Sequence, residues 1–237
     1  PTVSGLKFAR WDYGPQKRLL AAYKLTKDKA ILNSDLSLGF NYQNVEESRI
    51  TRKFNNSNTK SQIENVSIYA VNIDLKTKIG DGDLLYGAEV FYDDLNSIAT
   101  NSNRITGVVT PTDTRYPNGK NSTFRSDLFA TYNANITAKT TYNFGARAGF
   151  VALNSTIADN SIFNLPFNSI KQNNFTYSGA AGIVNSNKNT RIAFNLASAY
   201  RIPNIDDIAK VFESGNGILI VPNQNLKPEK SVTTDVN

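Results

Sequence analysis

Apolar and polar residues alternate with a period of two along most of the chain, the spacing that gives a β-strand one apolar face. In "DLSLGFNYQ", Leu36, Leu38, Phe40 and Tyr42 fall on one side, with Asp35, Ser37, Gly39, Asn41 and Gln43 on the other. In "TYNFGARAGF", Tyr142, Phe144, Ala146, Ala148 and Phe150 oppose Thr141, Asn143, Gly145, Arg147 and Gly149. "FTYSGAAGI" sets Phe175, Tyr177, Gly179, Ala181 and Ile183 together, and "RIAFNLASAY" does the same for Ile192, Phe194, Leu196 and Tyr200. The pattern predicts an all-β chain of about nine antiparallel strands over 16–26, 34–54, 62–76, 84–97, 124–137, 141–154, 173–184, 191–201 and one beginning at 229.

A soluble sandwich and a membrane barrel write the same stripes turned inside out. The polar face bears on the choice. It carries mostly Gly, Ala, Ser, Thr and Asn, with Asp35 and Arg147 as its charges, where a face washed by bulk water carries lysines and glutamates. Aromatics sit near strand ends at Tyr42, Tyr142, Phe150, Phe175, Tyr177 and Tyr200, as an interfacial girdle requires. Connections also alternate in length. The stretches 98–123, 155–172 and 202–228 are long, while 138–140 and 185–190 are short, and 78–83 is a turn in which Gly80 and Gly82 supply positive φ. Short turns at one end and long loops at the other are the asymmetry of an outer-membrane barrel, and Phe40, Phe144 and Phe194 are then expected to face lipid.

Composition removes several chemistries. Among 237 residues there is no cysteine, histidine or methionine, so thiol catalysis, disulfides and most zinc sites are excluded, and a nucleophile would have no imidazole base. The absence of methionine and the abrupt opening at Pro1 read as an internal or processed segment. The net charge of +6 is spread along the chain and not gathered into an aromatic-interleaved stripe, which argues for a solvated surface and against a nucleic-acid partner. No apolar run approaches the ~20 residues of a membrane helix, which says nothing of a barrel.

Four motifs invite sharper readings. Glu46, Glu47, Arg49 and Arg52 lie within "EESRITRKF" and read as an extended strand above the membrane whose charges pair across to neighbours, in preference to a catalytic cluster. "DTRYPNGK" holds a turn in a long loop, with Arg115 and Tyr116 as candidate ligand contacts. Trp11 reads as an interfacial anchor. In "RIPNIDDIAKVF", Pro203 stops the strand, Asn204 caps a short helix over 205–212, and Asp206 and Asp207 favour its positive end. Ile205, Ile208, Ala209 and Phe212 give that helix an apolar stripe. A calcium site on Asp206, Asp207 and Glu213 lacks the spaced oxygen array such loops use, so no metal is expected, and the two aspartates stand as loop candidates for ligand contact.

"YRIPNIDDIAKVFES" followed by "VPNQNLKPEKS" resembles the signature late in the barrel of TonB-dependent outer-membrane receptors, an R-x-P-N element preceding N-x-x-L-K-P-E. "DYGPQKRLLAAYKL", "YQNVEESRITRKF", "LLYGAEVFYDDLNSIAT" and "TRYPNG" resemble the family in the same order, so the likeness runs from about residue 10 to the end. It implies an antiparallel transmembrane β-barrel segment with short periplasmic turns and long extracellular loops, set in outer-membrane lipid. It also implies import of a scarce nutrient such as an iron–siderophore or haem, driven through TonB past the protein's own plug domain, with no catalytic residue and no cofactor. Arg201, Pro203, Asn204, Asn225, Leu226, Lys227, Pro228 and Glu229 carry over as elements that organise the loop and its return to the wall. About nine strands fall short of the roughly 22 of such transporters, so residues 1–237 are expected to be part of a barrel domain without its plug. A barrel that does not transport, or a soluble β-rich adhesin, is the alternative.

Overall fold

The computed structural model describes residues 7–161, 164–208, 212–213, 219–220 and 223–237. Antiparallel strands pair in chain order into one sheet: β1 (Phe8–Tyr13), β2 (Lys17–Ile31), β3 (Ser34–Lys53), β4 (Asn58–Ile79), β5 (Gly82–Asn103), β6 (Val109–Pro111), β7 (Asn121–Thr137), β8 (Thr140–Thr156), β9 (Ser169–Ser186) and β10 (Arg191–Arg201). After the helix α1 (Ile205–Ile208) and a separate small pair, β11 (Phe212–Glu213) with β12 (Leu219–Ile220), the strand β13 (Glu229–Val236) joins β10.

The eleven strands of the sheet occupy nine lateral positions. β1 and β2 are one line against β3, interrupted at Gly14–Gln16, where Gly14 N–H donates to the Ser48 carbonyl at 2.9 Å. β6 continues the line of β7 along β5. The expected nine strands therefore stand, but most run longer. β4 and β5 each hold 22 residues, roughly 70 Å of extended chain, against the 9–11 residues that cross a bilayer. The long connections expected at 98–123 and 155–172 shrink accordingly to 104–120 and 157–168, while 202–228 keeps its expected bounds. Polar Asn and Ser at the strand tops hid this extension, because they read as loop yet pair with one another, as where Asn103 Nδ2 donates to Asn58 Oδ1 at 2.9 Å.

The tight turns at 32–33, 80–81, 138–139 and 187–190 lie at one end, and of the connections at the other end only 54–57 is as short. Leu32 and Asn33 turn with φ of 48° and 60°, the doubly positive geometry that matches strand twist. Gly80 turns with φ of 58°. Gly82 is a correction to the expected turn: it opens β5 in ordinary strand geometry, and its missing side chain is filled by the Tyr132 ring, whose hydroxyl donates to the Ile79 carbonyl at 2.9 Å.

Register fixes the two faces. Outward stand Phe40, Phe144 and Phe194, exposed by 45%, 55% and 44%, beside an aromatic row in which Tyr42 opposes Tyr69 and Tyr69 opposes Tyr92, with ring centroids 5.1 and 6.4 Å apart. Inward stand Glu64, Glu89, Asp93, Arg125, Asp127 and Arg147. Two aromatics depart from the expected girdle. The β9–β10 ladder ends at Ala197–Ala180, and Ser198 Oγ instead takes the Gly179 N–H at 2.9 Å. Alternation slips there, and Tyr200 turns inward to donate to Asp127 at 3.2 Å. Trp11 pairs with Thr51 and Tyr13 with Arg49, on the inner face, where the Arg49 guanidinium sits 4.9 Å from the Tyr13 ring. In the same stretch Glu46 pairs across to Lys17 at 2.7 Å, as expected, while Arg52 reaches the Asn56 carbonyl at 3.4 Å.

The buried apolar nucleus lies inside, beneath the long loops: Leu153 of β8, Ile170 of β9 and Ile208 of α1, with Phe167 and Ile205 packed on them. It holds the helix to the wall.

Candidate functional site

The helix comes first, because it positions one side of the site. Asn204 Oδ1 accepts from the N–H groups of Asp206 and Asp207 at 2.9 and 3.1 Å, and Asp207 Oδ2 accepts from Asn204 N–H at 3.0 Å. This is the reciprocal cap expected from the sequence. The helix is shorter than expected. Ala209 and the two residues after it lie outside the described residues, and Phe212 and Glu213 pair with Ile220 and Leu219 in β11–β12, which commits their backbone groups to a ladder and not to a helix. Arg201 locks the turn from behind: its Nη2 meets both Asp207 oxygens at 2.8 and 2.7 Å, and its Nη1 meets Glu229 at 3.1 Å. Pro203 is buried beneath. Gln172 Nε2 donates to the Gln224 and Leu226 carbonyls at 3.1 Å each, tying the segment around Asn225 to β9, while Lys227 is exposed and Pro228 half-buried where the chain re-enters the sheet.

From the other side the 104–120 loop folds onto the inner wall. Lys60 Nζ meets Asp113 at 2.5 Å, Gln62 donates to the Asp113 carbonyl at 2.9 Å, and Arg115 meets the nearly buried Glu64 at 3.4 Å. Asn121 is the fastening. It is fully buried; its Nδ2 lies 2.8 Å from the Pro117 carbonyl, 3.2 Å from that of Leu95 and 3.3 Å from that of Gly119, and its Oδ1 accepts from Ser155 at 2.6 Å. Asn118 ties the same loop to the next, accepting from the Ala158 and Asp159 N–H groups at 3.0 and 3.2 Å.

The two loops meet where Tyr116 Oη donates to Asp206 Oδ1 at 2.9 Å, across 90 residues of chain. Below them opens a cavity of about 860 Å³ against the wall. On that wall Arg147 bridges Glu89 and Asp127, the latter at 3.1 Å, and Arg125 meets Asp93 at 3.3 Å with its guanidinium 4.8 Å from the Phe91 ring. Gly149 is what lets this happen: a Cβ there would fall on the Asp127 carboxylate.

Arg115, Tyr116 and Asp206 are thus brought together at one mouth, whereas Asp207 faces Arg201 as part of the scaffold. The sequence reading missed Glu64, Glu89, Asp93, Arg125, Asp127, Tyr200 and Asn121. Arg147, the one charge in the stretch "TYNFGARAGF", was the available signal. Burial, and then the bond to Asp206, pushes the Tyr116 phenol up to about 12. A proton held more tightly in the folded state contributes stability that is intact below the ordinary tyrosine value of about 10 and is lost as pH rises through about 12. The difference in phenolate absorbance between the intact protein and Tyr116→Phe should therefore titrate later than an ordinary tyrosine; titration near 10 would mean the loops part in solution.

The model of the family described as TonB dependent receptor-like, beta-barrel matches residues 3–237. The chain belongs to this family of TonB-dependent receptor β-barrels. Its sheet accordingly lies in the Gram-negative outer membrane, with short turns periplasmic and long loops outside, and the family's members are transporters, not enzymes. No curated protein matches the sequence. Among solved structures, the fold resembles the copper transporter OprC, with a TM-score of 0.74 at 13% identity over 95% of this chain and 36% of that one. It also resembles a double mutant of the Serratia marcescens hemophore receptor HasR, in complex with its hemophore HasA and heme, with a TM-score of 0.58 at 11% identity over 98% of this chain and 42% of that one. The TonB-dependent receptor barrel described here thus spans well under half the length of either.

Proposed function

We propose that residues 1–237 form part of the barrel wall of an outer-membrane receptor that binds a scarce nutrient, an iron–siderophore, haem or a similar compound, and imports it in a TonB-dependent manner past its own plug domain. The observation that carries the reading is the cavity on the inner wall, roofed by two extracellular loops joined through Tyr116 and Asp206. A ligand arriving from outside meets Arg115, Tyr116 and Asp206 first, and these three are the proposed contacts. Asp207, Arg201 and Glu229 hold the loop they stand on. OprC is named for copper and HasR for its hemophore and heme, so nutrient capture is at least a use to which this fold has been put.

The test uses the full receptor in cells starved of iron. Uptake of ferric siderophore or haem should require both the receptor and TonB, and Arg115→Ala with Asp206→Asn should weaken binding about tenfold, the effect of losing charge-assisted hydrogen bonds. Uptake that persists without TonB, or no uptake of any such compound, would point instead to a barrel that does not transport.

A further inference from the structure

On the lipid-facing side a groove of about 520 Å³ runs between β8 and β10. Register explains its shape. In one row Tyr142, Ile183 and Phe194 stand side by side; in the next, Phe144 and Leu196 flank Ala181; in the row beyond, Ala146 faces Gly179. Small side chains between large ones leave a furrow over β9 at Ala181, between Tyr142 and Phe144 on one side and Phe194 and Leu196 on the other. Its lining is almost entirely apolar.

The two hairpin turns at the periplasmic end of this furrow carry charge of one sign. The two turns below it are bound together by the Ser186 N–H donating to the Lys139 carbonyl at 2.8 Å, and they present Lys139 and Lys188, while Arg191 opens β10 on the inner face with Ala193 and Asn195. Neither hairpin has a carboxylate from 133 to 143 or from 181 to 194. The other two periplasmic turns are mixed: Lys27 and Lys29 accompany Asp28 and Asp35, and Lys76 lies 4.0 Å from Asp83. Asp235, the carboxylate of the neighbouring strand, pairs with Asn195 on the inner face.

We infer that this surface is a binding site for an anionic phospholipid of the periplasmic leaflet, with one acyl chain in the furrow and the phosphate beside Lys139 and Lys188. An acyl chain satisfies the apolar furrow, and a headgroup at the turn level meets two lysines that have no partner of opposite sign in their own hairpins. A zwitterionic lipid would fill the furrow equally well but gain little at the turns. The inference rests on the placement of the barrel in the outer membrane and is independent of the ligand imported.

The test places the full receptor in nanodiscs of equal phosphatidylglycerol and phosphatidylethanolamine and weighs retained lipid by native mass spectrometry. The protein should retain phosphatidylglycerol preferentially, and replacement of Lys139 and Lys188 by Gln should reduce the preference by about fivefold per cation removed. Ala181→Trp, which fills the furrow, should lower retention of both lipids. These positions lie on turns and on the lipid face, so heat-modifiable migration on gels should be unchanged and serves as the folding control. Equal retention of the two lipids, or a preference that survives the Gln replacements, would reduce the surface to ordinary annular contact and overturn the assignment.

Discussion

Replacing Arg147 with leucine in the intact receptor is expected to cost about 3 kcal/mol of stability, the typical penalty for removing one partner of a poorly solvated ion pair. Arg147 is held by Glu89 and Asp127, whose side chains are only 25% and 12% exposed, and the Asp127 carboxylate also accepts from Tyr200. Without the guanidinium, two carboxylates face each other on a wall that admits little water. Denaturant titration of the folded barrel would read the loss. The control is the triple variant Arg147→Leu, Glu89→Gln, Asp127→Asn, which removes all three charges and should recover most of it. If the triple variant is as unstable as the single, the penalty comes from lost packing against Phe129 and not from uncompensated charge.

Asn121→Ala should release the 104–120 loop from the wall. The substitution leaves buried carbonyls of Leu95, Pro117 and Gly119 and the Ser155 hydroxyl without their shared partner, a penalty of about 2–3 kcal/mol. Arg115 and Tyr116 lie a few residues upstream, so the expected signature is local: faster amide hydrogen exchange over 112–118, with the exchange of β8 and β9 unchanged. Ligand dissociation should quicken in step. If exchange rises across the whole sheet, Asn121 holds the barrel itself and not the loop.

Alternation along β3, β8 and β9 was readable because every second residue of a strand faces the same way, and a lipid-facing stripe must be apolar throughout its span. Loop placement was readable from the same pattern wherever it ceased. The upper ends of β4 and β5 were not, since above the membrane neither face is apolar and Asn, Ser and Thr pair across strands as readily as they form loops. Tyr200 shows the other limit. Its position in the alternation put it with Phe194 and Leu196, and a slip of the ladder at Ser198, where a hydroxyl replaces a backbone partner, turned it to the opposite face.

The candidate site divides along the same line. The cap of α1 was legible, as Asn204 and Asp207 are three residues apart and their hydrogen bonds are local. The contact of Tyr116 with Asp206, and the gathering of Glu89, Asp127 and Arg147 from three strands onto one patch, join residues 20 to 90 positions apart. The sequence by itself determined the strand faces, the turn end and the loop end, and the helix cap, all of which follow from periodicity or from neighbours within a few residues. Which charges meet, which aromatic turns inward and where the cavity opens were decided by strand register, and register depends on pairings between distant segments that no local pattern encodes.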